Sequence, residues 1–163
     1  KGTLYQGGIN VPMFISGNSV SRTGTDNNLI TSTDLFATIA AIAGSSTNEI
    51  NDSKSFKSLL TQSTNIRDYQ YTELADDTDD EWTISNGTYK LIVNSGGMEE
   101  LYNLVNDPYE NNNLLNAPLS SIEQDAKSEL ETELTNIRNW KYLATLTSLP
   151  LTHRSKYIYN VHY

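Results

Sequence analysis

The sequence predicts an α/β unit that runs into a small α+β unit: a strand and a helix, then an antiparallel sheet packed by one long helix. Three observations predict it. An apolar run, a polar loop and an amphipathic helical pattern follow one another over residues 11–44. Short strand-like segments, the first of them alternating, are broken by turn residues over residues 69–104. Apolar residues then recur at helical spacing over residues 120–143. Strand, loop and helix in that order form an α/β unit. The chain is accordingly expected to divide at residues 1–65, 66–145 and 146–163, the last a tail without a clear period.

The first expected strand is "VPMFIS", residues 11–16, read as buried, with Pro12 at its start because proline cannot donate within a central ladder. Gly7 and Gly8 before it permit a tight turn or a close backbone approach. The first helix follows a polar loop. Leu35, Ile39, Ile42 and Ala43 share one face; Ser32 or Thr33 can cap it, Asp34 favours the positive end of its dipole, and Gly44 suits its end. In the sheet region "YQYTEL", "EWTIS", "TYKLIVN" and "EELYNL" read as strands. Asn86-Gly87 between the second and third is a strong hairpin signal, usually a type I′ turn. Ser120 with Glu123 makes a capping box, and Ile122, Ala126, Leu130, Leu134 and Ile137 give the helix face that covers the sheet.

Composition narrows the function classes. The chain has 163 residues, enough for one ordinary domain or two small layers. Net charge is −9, which argues against nucleic acid as a general partner, because phosphate binding needs a basic surplus, and leaves open one anionic group in a local pocket. No apolar run is long enough to span a membrane. Cysteine is absent, so disulfides, thiolate–zinc sites and a thiol nucleophile are excluded within the chain. No initiator Met or signal-peptide pattern opens the sequence, which reads as the interior of something longer.

Candidate chemistry is sparse. The acidic run from Asp76 to Glu81 lacks the glycine and closing glutamate of a calcium loop and reads as solvated. His153 and His162 lie nine apart without a carboxylate at ligand spacing. No Gly-x-Ser-x-Gly elbow or phosphate-binding glycine loop occurs. Lys1 stands before a glycine-rich turn and an expected strand; it reads either as a plain surface residue or as a cation that reaches an anion at the sheet edge.

At four places in order the chain resembles the sulfatases of the alkaline phosphatase superfamily. "KGTLYQGGINVP" is similar to Lys-Gly-Thr-x-Tyr-Glu-Gly-Gly-x-Arg-Val-Pro, and "TDLFATIAAIAG" to Asp-Leu-x-Pro-Thr-Leu-Leu-x-Leu-Ala-Gly. "NDSKSFKSLL" is a worn form of Asp-Gly-x-Ser-Leu-x-Pro-Leu-Leu. "YKLIV" followed by "ELYNLVNDPYENNNL" is similar to Tyr-Lys-x-Ile and Glu-Leu-Tyr-Asp-Leu-x-x-Asp-Pro-x-Glu-x-x-Asn-Leu. The segments span residues 1 to about 115, and residues beyond about 145 are not covered. The departures are Gln6 for Glu, Asn10 for Arg, Ala37 for the helix Pro and Asn103 for Asp.

The resemblance implies the C-terminal portion of a sulfatase, a sulfuric ester hydrolase: the last strand and helix of the α/β domain, then the C-terminal subdomain. It makes Lys1 a catalytic residue that binds sulfate, with Gln6 and Asn10 as substrate-proximal candidates. For the intact protein it implies formylglycine, calcium or another divalent cation, and a sulfated small molecule or glycan as substrate. It also implies a periplasmic or secreted location. Within this chain there is no Cys and no Ser-x-Pro-x-Arg, and no carboxylate matches a family metal ligand, so the isolated chain is expected to bind no metal and to be inactive. From its unpartnered apolar faces and strand edge the fragment is expected either to self-associate or to fold compactly around residues 69–143, with the first 45 residues less stable. Two alternatives stay open: a phosphate or phosphonate ester hydrolase of the same superfamily, and a non-catalytic module that binds a glycan or a partner through its sheet and the tail tyrosines Tyr157, Tyr159 and Tyr163.

Overall fold

The computed structural model describes residues 2–45, 52–75 and 80–146, with side chains as far as Arg138. Lys1, most of the acidic run, both histidines and the tail tyrosines lie outside the described residues. Among the described residues three α-helices and one sheet form: α1 Gln6–Ile9, α2 Asp34–Ile42, β1 Gln70–Leu74, β2 Glu81–Ser85, β3 Tyr89–Asn94, β4 Glu99–Asn103 and α3 Ser121–Leu146. Short 3-10 turns occupy Lys57–Leu60 and Leu114–Asn116.

The sheet is an antiparallel meander in the order β1-β2-β3-β4, as the four short segments predict. Ile84 pairs with Leu91, and Leu91 with Leu101, so one apolar row crosses β2, β3 and β4. Strand side chains alternate between faces. Tyr71, Ile84, Leu91 and Leu101 therefore meet Leu130, Leu134 and Ile137 of α3 in the main core. Lys90, Ile92, Glu100 and Tyr102 fall on the other face, where Ile92 and Tyr102 bury Leu4. Both faces of this small sheet are covered, the second by the segment that opens the chain.

The β2–β3 turn differs from the expected type I′. The two loop residues are Gly87 and Thr88, closed by the Asn86 N–H donating to the Tyr89 carbonyl at 3.2 Å. Positive φ occurs at Gly87 (87°) and at neither neighbour, the pattern of a type II′ turn with glycine first. Asn86 sits just outside, where its Oδ1 accepts the Thr88 and Tyr89 amides.

At α3 the expected capping box is present. The Ser120 amide and hydroxyl each donate to Glu123 Oε2 at 2.7 Å, and the Glu123 amide returns to Ser120 Oγ at 3.4 Å. Ala126, Leu130, Leu134 and Ile137 are buried, but Ile122, in the first turn, is exposed. Arg138 lies over the Trp82 ring at 3.4 Å from its centroid and closes the far end of the layer.

Two expectations for the N-terminal third are corrected. Residues 11–16 pair with no strand among the described residues, and Phe14 is 94% exposed. A strand is made by a hydrogen-bonding neighbour, and the four strands present pair only with one another. The second correction concerns α2, which forms with Gly44 at φ 78° after its end but turns its expected apolar face outward. Leu35, Phe36, Ile39 and Ile42 are exposed, whereas Asp34, Ala37 and Thr38 are buried. The inner contacts are polar. Ser53 Oγ donates to the Thr33 carbonyl and accepts the Ala37 amide, and Thr38 Oγ1 accepts the Phe56 amide. Thr33 makes no side-chain capping bond; Asp34 Oδ2 accepts the Thr31 amide instead.

Candidate functional site

Residues 2–10 carry the sequence-predicted site residues that the structure describes. Gln6 is half-buried and begins α1; Asn10 is exposed and ends it, its amide donating to the Gln6 carbonyl at 2.9 Å. The two therefore bracket a single helical turn. Gly7 and Gly8 form that turn rather than an extended loop, and Gly8 is required by a close approach: a Cβ there would overlap the Thr3 carbonyl oxygen. Lys1 is outside the described residues.

Beneath this turn lies a charged cluster on the sheet face opposite α3. Lys90 of β3 is wholly buried, and its Nζ donates to Glu110 Oε1 and to the Leu4 carbonyl, each at 2.5 Å. Glu110 Oε2 in turn accepts the Gln6 main-chain amide. One lysine and one glutamate, brought together by the sheet and the turn after β4, thus hold the main chain of Leu4 and of Gln6. Burial lowers the Lys90 pKa from its ordinary value, and the hydrogen bond and charge of Glu110 oppose that fall.

A second group flanks the first. Tyr5 and Tyr102 both donate to Glu100 Oε2, at 2.7 and 2.8 Å, and their rings meet edge to face with centroids 6.2 Å apart. The Glu100 hydrogen bond raises the Tyr5 pKa, and burial followed by that same carboxylate raises Tyr102. Both phenols therefore stay protonated as donors at neutral pH.

Lys90 and Glu110 were not singled out from the sequence. A signal for Lys90 exists: in "TYKLIVN" it directly precedes Leu91 and Ile92, which take opposite faces, so a cation falls inside a strand that is apolar on both faces. Such a lysine needs a buried partner. The partner could not be named, because Glu110 is 20 residues away in a turn full of polar residues.

Two further polar features lie outside this cluster. Arg67 grips Asp34 through Nε to Oδ2 at 2.9 Å and Nη2 to Oδ1 at 2.5 Å, and its Nη2 also donates to the Asp52 carbonyl. An open cleft of about 580 Å³ is lined by Asn28, Asn65, Tyr69, Asn86, Thr88 and Glu129 among others. Tyr69 donates to Glu129 at 2.7 Å, and that bond raises its pKa to about 12. Among the described residues no three His, Asp or Glu side chains converge to hold a metal ion.

Residues 1–139 match the family model described as N-sulphoglucosamine sulphohydrolase, C-terminal. The chain belongs to this sulfatase C-terminal family. The fold agrees. BT1596, a 2-O GAG sulfatase, superposes with a TM-score of 0.66 at 21% identity, over 79% of this chain and 30% of that one. A Bacteroides thetaiotaomicron VPI-5482 protein provisionally assigned as a sulfatase gives 0.63 at 22% identity, over 75% and 28%. BT4656, solved in complex with D-glucosamine-2-N,6-O-disulfate, gives 0.54 at 20% identity, over 65% and 23%. No curated protein sequence matches the chain. The chain thus spans at most 30% of the length of these sulfatase structures.

Proposed function

We propose that this chain acts as the C-terminal part of a sulfatase that hydrolyses sulfate esters, with Lys1 as a sulfate-binding residue. The observation that carries the reading is the family match beginning at residue 1, in the segment where Lys1, Gln6 and Asn10 stand. An ammonium at that position binds a sulfate oxygen and offsets charge that develops on the ester as its bond to sulfur breaks. Gln6 and Asn10 replace a carboxylate and a guanidinium of the family pattern, so the turn they bracket is a neutral edge to the site and bears on substrate choice. The sulfated glucosamine bound by BT4656 supports a sulfated sugar as the substrate class. The reading carries with it a periplasmic or secreted location.

The nucleophile and the metal ligands have no counterpart in this chain under the proposal, which gives these residues the work of binding and positioning. Two assays test it. The isolated 163-residue chain is expected to show no turnover of an aryl sulfate. In a polypeptide that carries these residues behind a sulfatase N-terminal portion, Lys1→Ala is expected to lower the rate by about 10²-fold or more. Turnover by the isolated chain that disappears in Lys1→Ala, or full activity of Lys1→Ala in the longer polypeptide, overturns the proposal.

A further inference from the structure

The open cleft is walled by four separate pieces of chain: the loop before α2, the segment that leads into β1, the β2–β3 turn and Glu129 of α3. It shares no residue with the opening segment or with the Lys90–Glu110 pair. From the hydrogen-bonding groups that its wall leaves over, we propose that the cleft binds an uncharged, hydroxyl-rich sugar unit. The proposal goes beyond the sulfatase reading and does not rest on Lys1. Three observations carry it.

The first is that the polar side chains are held at one end and open at the other. Asn28 Nδ2 donates to Asp26 Oδ1 and to Ser63 Oγ, at 2.6 and 3.1 Å, which leaves its Oδ1 as an acceptor. Asn86 is turned the opposite way: its Oδ1 accepts the Thr88 and Tyr89 amides, which leaves Nδ2 as a donor. Asn65 Nδ2 donates to Asp68 Oδ1 at 2.6 Å and keeps its own oxygen. Tyr69 donates to Glu129 Oε1 at 2.7 Å, so the phenol oxygen and Glu129 Oε2 stay as acceptors. Among the described residues no hydrogen bond occupies these remaining atoms. A sugar hydroxyl both donates and accepts, so a wall that mixes oriented donors with oriented acceptors matches it. Orientation fixed in advance also lowers the ordering cost of binding.

The second observation is charge. Arg67 is the one basic residue in the described wall, and Asp34 holds it in a buried ion pair. Asp68 and Glu129 also line the cleft, so the wall has a negative surplus and disfavours a sulfate, phosphate or carboxylate. The third is shape. The volume of about 580 Å³ lies within the roughly 300–1,000 Å³ of small-molecule sites. Leu29 and the Tyr69 ring, which packs against the main core, add apolar surface beside the polar groups. A pyranose presents C–H groups on its faces and hydroxyls at its rim, and such a mixed wall suits both.

The test is a heteronuclear NMR titration of the 163-residue chain with N-acetylglucosamine, galactose and diacetylchitobiose, with the 6-O-sulfate of N-acetylglucosamine as the charged comparison. At least one neutral sugar is expected to give saturable shifts with a Kd of about 1–10 mM. The shifts should centre on residues 27–29, 67–69 and 86–88 and on the Asn86 side-chain amide, while residues 4–10 stay unchanged. The sulfated sugar should bind more weakly than its neutral parent. Asn65→Ala removes an exposed side chain, and Asn86→Asp keeps the turn-closing oxygen but removes the donor. Each should weaken binding about 3–10-fold, the scale of one hydrogen bond. Should Asn86→Asp disturb the turn, Asn65→Ala alone decides. No saturable shift with any neutral sugar, or shifts centred outside the cleft, overturns the proposal. So does equal or tighter binding of the sulfated sugar, or an unchanged Kd in the variants.

Discussion

Replacing Arg67 with Met should destabilise the chain by about 3–5 kcal/mol, and the reason is Asp34. The Asp34 side chain is fully buried and accepts four hydrogen bonds: from the Thr31 and Lys54 amides and from Nε and Nη2 of Arg67. Only Arg67 brings an opposite charge, and it too is nearly buried. Methionine fills most of the volume but leaves a carboxylate in a dry site with two neutral donors. It also leaves the Asp52 carbonyl without its Arg67 bond. Against a total stability of roughly 5–15 kcal/mol the loss is large. Arg67→Lys keeps the charge but not the two-pronged geometry, so its loss should be smaller and still measurable. Asp34→Asn combined with Arg67→Met should cost less than the sum of the single changes, since the stranded charge is gone. The assay is urea unfolding followed by circular dichroism, with hydrogen exchange to locate the damage. An Arg67→Met chain within about 0.5 kcal/mol of the parent would refute the reasoning, because surface substitutions cost no more than that.

Three further outcomes are expected. Leu130→Ala, at the centre of the α3 interface and fully buried, should cost about 3–5 kcal/mol in the same urea assay. Phe14→Ser and Ile39→Lys should leave stability within about 0.5 kcal/mol, since both side chains are exposed, and should reduce any self-association seen by sedimentation. Stability should fall as pH rises through the window from about 10 to about 12. The Tyr69 pKa is raised in the folded chain, so its contribution is complete below the unfolded value and is lost toward the folded one. Tyr69→Phe should flatten that fall, as read from urea midpoints at pH 8 and pH 11.

The sheet and α3 were legible because their patterns are self-contained. Short apolar-rich segments broken by turn residues, an Asn-Gly between two of them and a helical repeat that begins at a capping box leave one sensible packing, and the buried partners between the sheet and α3 lie within residues 69–137. The first third was legible in pattern but not in placement. Periodicity shows which residues of α2 are apolar, not what they meet, and α2 packs on residues 52–56 through Ser53 and Thr38 instead. Asp34 was read as a dipole partner, a role open to any helix start; its pairing with Arg67 spans 33 residues and has no local sign. Lys1, Gln6 and Asn10 came from resemblance, whereas Lys90 and Glu110 needed the sheet register and the left-handed turn to bring them together.

The outward apolar face of α2 changes what holds that helix. Fully burying a Leu, Ile or Phe side chain contributes about 1.5–3 kcal/mol, and Leu35, Phe36, Ile39 and Ile42 forgo much of it here. What remains on the inner side is Ala37, the Ser53 and Thr38 hydrogen bonds, and the Asp34–Arg67 pair, with Lys57 Nζ on the Ala41 carbonyl at the far end. Hydrogen bonds contribute roughly 1 kcal/mol each in water, so a few directional contacts carry much of the attachment of the helix, beside the buried Phe56 and Leu60 of the neighbouring turn. The sheet is in the opposite state, with apolar rows on both faces. Loss of Arg67 should therefore free α2 and residues 52–60 while β1–β4 and α3 keep their protection. Residues 4–6 should stay with the sheet, because their bonds run to Lys90 and Glu110 and not to α2. Hydrogen exchange on the Arg67→Met chain that opens the sheet and α2 together would show that the two are held as one cooperative unit and that this division of forces is wrong.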